Sequence, residues 1–364
     1  MRRGLIAHSK AELPHTVLDA RLARLRAAMA AAGLDALLLY TNNTRAAGVS
    51  WLTGFVPYWS EALLVAGLDR EPVLIAALTQ RVKRWIESTS RVGEVIHSPR
   101  IGRAAADMVT ARKADAVVGV ADLDGLPAGV VEDLRERGVR LRLSDATSLF
   151  AALRAAADPA EIALAMRATS IAHDALVQMP AQRATLGEII AAVEAQARAG
   201  GAEEVYVAAA PDLARDHRLK RIEGETALGD TFALRATVAY KGTWIRLVRT
   251  FARNGATVPE EQAAARLAAA VAELPDARGF AGFSSWLVEG CRIAQPLEPL
   301  MGSRVETSHP LTLGALVSVQ ARVEIEGAPL LVGINMLFGG SAMIAMALHA
   351  RSADPTTTAA PKAL

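Results

Sequence analysis

Few side chains in this sequence could act as nucleophiles or proton carriers near neutral pH. Cys291 is the one cysteine among 364 residues, and a cysteine paired with a histidine can form a reactive thiolate. Phe283, Leu287 and Cys291 recur every fourth residue, however, which predicts a helix and favours packing of the thiol in a core. His217 and His309 are of the residue type that carries general acid and base chemistry near neutral pH.

Composition excludes several other functions. The chain has 40 basic and 38 acidic residues, no block of Lys and Arg, and 4% aromatic residues, so nucleic-acid binding is not predicted. The glycine pairs at 200–201 and 339–340 lack the strand–glycine–helix order of a phosphate loop and are interpreted as turns. No apolar run could span a bilayer and no secretory signal is present, so we expect a cytoplasmic protein without membrane contact.

The elements that must position these side chains alternate in the first part of the chain. Helices are predicted over residues 18–32, ending at Gly33, and over 80–88. Short apolar runs predict strands over 36–40, 61–66, 72–77, 92–97 and 116–120. This alternation indicates an α/β domain over residues 15–155.

The second part changes character at Asp158 and Pro159, which can cap and start a helix. Helices are predicted over residues 160–178 and 186–199, and strands follow over 232–239, 244–251, 316–324 and 330–337. Helices followed by a run of strands indicate an α+β domain over residues 156–350. Residues 351–364 are expected to be a disordered tail.

Several segments together resemble the creatinase, prolidase and aminopeptidase P family, which has the pita-bread fold. They are WLTGF at 51–55, DPAEI at 158–162, GD at 229–230, YKG at 240–242, RTF at 249–251 and LGALVSVQ at 313–320. The resemblance covers about residues 15 to 350 and rests on their order and spacing. It implies a creatinase-like N-terminal domain, a pita-bread C-terminal domain and a homodimer.

In that family two Asp, one His and two Glu bind two divalent ions. The resemblance places Arg235 and Arg246 at the two Asp positions, and Gln320 and Asn335 at the two Glu positions. Guanidinium groups stay protonated and repel cations, so the resemblance implies neither a metal nor another cofactor here.

The family's metal-binding histidine corresponds to Met301 or to Cys291, depending on where a gap is placed. Met301 is preferred because Cys291 falls on the predicted helix. His217 corresponds to a family histidine used for substrate contact and proton transfer, and His309 lies beside a second one. Creatinase cleaves a C–N bond without metal, but it needs acidic residues that bind the guanidinium of its substrate. One of these acidic positions corresponds here to Val248 and another falls near Asn335, so a cationic substrate is not expected.

The replaced positions suit a small anion instead. Arg235, Arg246 and Arg249, facing a pocket with Gln320 and Asn335, could bind a carboxylate bidentately, with His217 as general acid and base. Structural alternatives remain open: the arginines could pair with Glu324 or Glu326, His217 could be a structural histidine, and His309 could belong to an ordinary loop. Residues 42–45 and Trp51, a region that in family dimers can reach the partner's site, are interpreted as a solvated loop.

Three functions are compatible with these residues. The first is a metal-independent hydrolase of a C–N bond in a small anionic amide, ureido or amidine compound. The second is a catalytically inactive relative that binds a ligand or partner. The third is a lyase that uses the His and Arg pocket. Fold alone does not choose among them.

Overall fold

The computed structural model describes residues 9–43, 47–57, 60–138, 140–179, 185–222, 224–253, 258–272, 283–290 and 312–338. Within these residues the chain forms two compact units, the first ending at Ala155 and the second beginning at Ala156. No helix of the described residues is long and apolar enough to cross a membrane.

The first unit alternates helices and strands. In chain order its elements are α1 His15–Ala31, β1 Ala36–Asn42, α2 Ala47–Thr53, β2 Glu61–Gly67, β3 Val73–Ala76, α3 Lys83–Thr89, β4 Glu94–His97, α4 Ile101–Arg112, β5 Val117–Ala121, α5 Ala128–Arg137, β6 Arg142–Asp145 and α6 Thr147–Leu153. All five predicted strands are confirmed, and so is the helix that ends before Gly33. The sequence patterns did not predict α2, α4, α5, α6 or β6.

These strands form one six-stranded sheet in the order β4-β3-β2-β1-β5-β6. Successive residues of a strand point to opposite faces. Leu37 and Leu39 of β1 therefore pack with α1 and α2, whereas Leu38 packs with α4 and α5. Helices cover both faces of the sheet, as the predicted α/β class requires.

Trp51 belongs to the core of this unit. It is 4% exposed and meets Phe150 edge to face, with ring centroids 5.8 Å apart. The Arg21 guanidinium lies 5.1 Å from the indole ring and donates a hydrogen bond to the Trp51 carbonyl at 2.7 Å. The interpretation of Trp51 as part of a solvated loop is therefore wrong, because the ring packs inward. Thr44 and Arg45 lie outside the described residues.

The second unit contains three helices and six strands among its described residues. They are α7 Pro159–Val177, α8 Leu186–Ala199, β7 Glu204–Ala210, β8 Thr231–Tyr240, β9 Thr243–Ala252, α9 Glu260–Ala272, β10 Phe283–Gly290, β11 Leu316–Ile325 and β12 Ala328–Leu337. The predicted start of α7 is confirmed: the Asp158 carboxylate accepts hydrogen bonds from the backbone N–H groups of Ala160 and Glu161 at 3.1 and 3.0 Å. This capping box fixes the first turn.

Two antiparallel sheets form this unit, β7-β8-β9 and β10-β11-β12. Apolar side chains of α7 and α8 pack on the first sheet, and those of α9 pack on β11 and β12. Each sheet therefore has one face covered by helix, which leaves its other face for the site. The unit has the α+β character that the sequence predicted.

The helix predicted through Phe283, Leu287 and Cys291 is wrong. Residues 283–290 form β10, which pairs antiparallel with β11, and Leu287 stands opposite Gln320. A spacing of four fits one face of a helix, but it also fits one face of a strand, where every second residue points the same way. The preference for Met301 over Cys291 at the histidine position loses its basis, and both residues lie outside the described part.

Candidate functional site

The face of the first sheet that points away from α7 and α8 carries two arginines. Apolar side chains of β8 and β9, including Leu234 and Leu247, point to the helices. Arg235 and Arg246 alternate with them and therefore point to the other face. In the register of the two strands, Arg235 stands opposite Val248 and Arg246 stands opposite Thr237.

The second sheet presents a matching polar face. Residues of β11 such as Val319 and Val323 pack against α9. Ser318, Gln320 and Arg322 alternate with these apolar residues and share the opposite face.

Two residues of β12 complete this second face. Asn335 stands opposite Ser318, and Gly333 stands opposite Gln320. The polar side chains of this sheet therefore lie in successive rows on the face away from α9. We call the faces of the two sheets that point away from α7, α8 and α9 the site face.

The site face of β9 meets β12 through Thr250 and Gly333. The Thr250 hydroxyl donates to the Leu331 carbonyl at 2.8 Å and accepts from the Leu331 N–H at 2.9 Å. One hydroxyl thus satisfies both backbone groups of a residue on the neighbouring sheet. A β-carbon on Gly333 would lie 2.7 Å from the Val248 nitrogen, so only glycine permits this approach.

This approach brings Arg235 to Gln320. The Arg235 side chain donates from Nη1 to the Gln320 amide oxygen at 3.5 Å, and Arg235 as a residue is 6% exposed. Two positions that the sequence placed in one site, on strands of different sheets, are therefore in contact. An amide oxygen accepts a hydrogen bond but cannot neutralise a guanidinium.

Arg246 and Asn335 are linked through Ser318. The backbone N–H of Arg246 donates to Ser318 Oγ at 3.1 Å, and Ser318 Oγ donates to Asn335 Oδ1 at 2.5 Å. Ser318 and Asn335 are 4% and 1% exposed. This chain of hydrogen bonds fixes the edge of β9 against β11 and β12, and so places Arg246 beside Asn335.

Arg249 takes no part in this cluster. It stands opposite Leu234, so alternation sends its side chain to the face away from Arg235 and Arg246. There its Nη1 forms an ion pair with Glu260 of α9 at 2.6 Å, and the other Glu260 oxygen accepts from the Thr250 N–H at 3.1 Å. Burial raises the pKa of the Glu260 carboxyl, and the Arg249 guanidinium opposes that rise. The structure thus gives Arg249 a structural carboxylate partner, which differs from its predicted place in the pocket.

His217 lies in the segment between β7 and β8. Leu213 and Leu219 of this segment pack with Ala233, Val248 and Leu331 on the site face. Backbone hydrogen bonds between Ala209 and Lys220 close the loop. Leu213 and Leu219, which flank His217 in the sequence, therefore anchor this loop on the site face.

The pKa of the His217 imidazole is lowered from its ordinary value. Burial is the main cause, the positive charge of Arg322 adds to it, and Asp216 opposes it. His217 Nδ1 is buried without a hydrogen-bond partner among the described residues. A lowered pKa favours the neutral imidazole, the form that can accept a proton.

Arg322 is a site residue that the sequence interpretation missed. It stands two residues after Gln320 on β11, so the period of two that places Gln320 on the site face also places Arg322 there. Its charge acts on His217. The signal was available in the alternation of the strand, but the family positions did not include it.

A pair of divalent ions does not fit these residues. The positions that the resemblance equates with four carboxylates hold Arg235, Arg246, Gln320 and Asn335, and the site face brings them together. Two guanidiniums and two neutral amides give no anionic oxygen to a hard or borderline cation. Among the described residues, no group of three or more His, Cys, Asp or Glu side chains could hold a metal ion.

His309, Cys291 and Met301 lie outside the described residues, so their predicted places in the site remain predictions. Glu324 and Glu326, considered as partners of the arginines, are both exposed. Glu324 shares the site face of β11 by alternation, and Glu326 occupies the turn before β12.

Comparison with known proteins shows which family the first unit resembles in sequence. Residues 21–156 match the family model of the creatinase/prolidase N-terminal domain. The first unit is thus similar in sequence to creatinase/prolidase N-terminal domains. A search of curated proteins found no match.

Solved structures extend the likeness across the chain. The X-Pro aminopeptidase from Thermotoga maritima MSB8 superposes with a TM-score of 0.66 at 14% identity, over 88% of this chain and 95% of that one. The Xaa-Pro dipeptidase from Bacillus anthracis gives 0.64 at 17%, over 89% and 95%. The prolidase from Pyrococcus horikoshii OT3 gives 0.63 at 15%, over 88% and 95%. Identities this low establish the fold, so the resemblance is confirmed by sequence in the creatinase/prolidase N-terminal domain and by fold over nearly the whole chain.

Proposed function

We propose that this chain is a metal-independent hydrolase of a C–N bond in a small anionic metabolite, such as a carboxylate-bearing amide, ureido or amidine compound. The observation that carries the proposal is the contact of Arg235 with Gln320, where relatives of this fold are expected to have carboxylates. Arg235 and Arg246 share the face that carries Gln320 and Asn335, and leucines of the loop that contains His217 pack on the same face. Guanidinium groups bind carboxylates through paired hydrogen bonds.

His217 can move the protons that this reaction needs. Neutral His217 accepts a proton from water as the water oxygen bonds to the carbonyl, ureido or amidine carbon. The imidazolium then donates that proton to the departing nitrogen as the C–N bond breaks. No proton or electron is gained or lost overall. Arg235 and Arg246 hold the carboxylate and so orient the bond toward His217.

Structural neighbours with peptidase names are compatible with the reaction class, because a peptide bond is itself a C–N bond of an amide. His309 as a second catalytic group, Cys291 as a substrate contact and a homodimeric assembly remain predictions.

The test begins with binding. Chelator-treated protein is mixed with N-acetylglycine or N-acetylglycinamide, which differ only in the carboxylate, and thermal unfolding is recorded. We expect the carboxylate alone to raise the unfolding temperature. Arg235→Ala and Arg246→Ala should each weaken binding at least tenfold. Arg135 is an exposed residue of α5, and Arg135→Ala should leave binding unchanged. Unchanged binding in both site variants would refute the proposal.

Turnover is tested with His217→Asn, which should bind but not react. Hydrolysis in water labelled with oxygen-18 places the label in the acid product. A lyase would release a product without the label, and binding without any turnover would favour the inactive relative. Activity that requires added divalent metal would contradict metal independence.

A further inference from the structure

Two edge strands meet where the two sheets of the second unit approach each other. Among the described strands, β9 lies at one edge of the sheet β7-β8-β9, and β12 lies at one edge of the sheet β10-β11-β12. The outer backbone N–H and C=O groups of an edge strand have no partner in their own sheet. Because the approach of β9 and β12 buries such groups, side chains must supply their hydrogen bonds.

Thr250 supplies both hydrogen bonds for one residue of β12. Its hydroxyl donates to the Leu331 carbonyl at 2.8 Å and accepts from the Leu331 N–H at 2.9 Å. A hydroxyl can serve both groups because it is a donor and an acceptor at once. Thr250 and Leu331 are 2% and 9% exposed, so little water reaches either bond. The contact therefore fixes where β12 lies against β9.

The backbone of Thr250 is itself held from α9. The Glu260 carboxylate accepts from the Thr250 N–H at 3.1 Å, and the same carboxylate forms an ion pair with Arg249, the preceding residue of β9. Thr250 thus has its backbone bound to α9 and its hydroxyl bound to β12. This part of β9 is a fixed point from which the hydroxyl can position Leu331.

Leu331 connects the junction of the sheets to His217. Its side chain packs in one cluster with Leu213 and Leu219, which flank His217 in the sequence. Leu331 also stands opposite Arg322 in the register of β11 and β12, and the positive charge of Arg322 acts on His217. The position of Leu331 therefore determines how the second sheet, with Arg322, lies against the loop that contains His217.

We propose that Thr250 is a positioning residue of this site. By binding Leu331, it holds Arg322 of the second sheet beside the loop that contains His217. The hydroxyl is engaged by Leu331, so Thr250 acts through these residues and not on the ligand. The inference rests on the proposed function in that His217 is the group that moves the proton.

Proton NMR titration of the His217 ring, assigned through His217→Asn, tests this role without a substrate. Thr250→Val keeps the shape of the side chain but removes the hydroxyl, which should release Leu331 and let Arg322 move away. A nearby positive charge lowers the pKa of an imidazole, so the pKa of His217 should rise in Thr250→Val. Thr250→Ser retains the hydroxyl and should leave this pKa unchanged.

Thr169→Val is the matched control. Thr169 is 1% exposed, and its hydroxyl donates to the Ala165 carbonyl within α7 at 2.8 Å. The variant removes a buried hydroxyl from the same unit at a comparable cost in stability, but it does not touch the junction of the sheets. A His217 pKa that is unmoved in Thr250→Val, or that moves equally in Thr169→Val, would overturn the proposal.

A double-mutant cycle with Arg322→Gln separates the position of Arg322 from the solvent exposure of His217. Arg322→Gln should raise the pKa of His217 in the wild-type protein, and it should raise this pKa less in the Thr250→Val background, where Arg322 has already moved away. Equal rises in the two backgrounds would show that Thr250 does not hold Arg322 in place and would overturn the proposal.

Amide exchange in the wild-type protein decides the case in which Thr250→Val does not fold. After correction for intrinsic rates, the Leu331 N–H should exchange at least about tenfold more slowly than the N–H of Gly327, an exposed residue of the turn before β12. Equal rates would contradict the hydrogen bond to Thr250 and overturn the proposal. None of these measurements uses a substrate, so absence of hydrolysis would defeat the proposed function without changing their outcome.

Discussion

Arginines of the first unit and arginines of the site face meet different partners. In the first unit, Arg91 pairs with Glu71 and Asp19 at 2.7 and 2.9 Å, and Arg100 pairs with Asp133. On the site face, Arg235 meets the amide of Gln320. The carboxylates that pair with Arg91 and Arg100 carry a negative charge, whereas the amide of Gln320 is neutral.

The same difference separates the two faces of β9. Arg249 points away from the site and pairs with Glu260, while Arg246 points into the site beside Asn335. On β9, the arginine that points to the helices thus has a carboxylate partner on α9, whereas the arginine that points to the site face is linked through Ser318 to an amide. Glu260→Gln and Gln320→Glu exchange carboxylate and amide beside these arginines. The first change should lower the free energy of unfolding, and the second should weaken the binding of an anion.

Glu260→Gln should have the largest effect. The variant keeps the size of the side chain and the acceptor for the Thr250 N–H, but it leaves the largely buried Arg249 without its counter-charge. Removing one partner of a buried ion pair is strongly destabilising, and we expect a loss of about 3 kcal/mol in the free energy of unfolding. Denaturant titration measures it.

Glu261→Gln is the matched control, because Glu261 is the exposed neighbour on α9. It should change the free energy of unfolding by less than about 0.5 kcal/mol. Equal effects of the two variants would show that the Arg249–Glu260 pair contributes nothing beyond an ordinary surface pair.

Gly333→Ala should separate β9 from β12 and so disturb the site face, whereas Glu260→Gln acts on the helix side of β9. The added β-carbon would lie 2.7 Å from a backbone nitrogen, so strands must move, at a cost of about 2 kcal/mol. Arg235 would lose Gln320 as well. Gly129→Ala in α5 is the control, because a β-carbon there meets nothing within 4 Å. Denaturant midpoints that agree for the two variants would contradict the close approach of the sheets.

Much of this fold could be predicted from apolar periodicity and from caps. The Asp158–Glu161 capping box and the five strands of the first unit have local signals that survive in the folded chain. β10 could not be predicted in this way, because the spacing of Phe283 and Leu287 fits both a helix and a strand. Only pairing with β11 makes this segment a strand. α9 and β7, rich in alanine, give weak patterns by themselves.

The site was predictable only in part for a related reason. The family positions supplied Arg235, Arg246, Gln320 and Asn335, but they ignored the alternation that sends Arg249 to the other face. The same alternation, applied to β11, would have found Arg322. Contacts between sheets, such as Thr250 with Leu331, depend on tertiary approach and have no signature in sequence.

Gln320→Glu gives Arg235 a carboxylate partner, like those of Arg91 and Arg100 in the first unit. The new carboxylate would neutralise Arg235 and compete with the ligand, so N-acetylglycine should bind about tenfold more weakly, or about 1.4 kcal/mol. Titration by calorimetry measures it. Gln80→Glu, at an exposed residue of the first unit, is the control for a simple change of net charge. Binding that is unchanged in Gln320→Glu would show that Arg235 does not contact the anion.

Arg322→Gln should have the smallest effect and the most diagnostic one. Burial and the Arg322 charge both lower the pKa of His217, so removing the charge should raise that pKa toward its ordinary value. The acid limb of kcat/KM should then move to higher pH, because a larger fraction of His217 is protonated at any given pH. Asp216 acts in the opposite direction, so Asp216→Asn should lower the pKa of His217. Proton NMR titration of the His217 ring, assigned through His217→Asn, follows both shifts without requiring a substrate. If the pKa of His217 shifted in the same direction in Arg322→Gln and in Asp216→Asn, loop rearrangement and not charge would control this pKa.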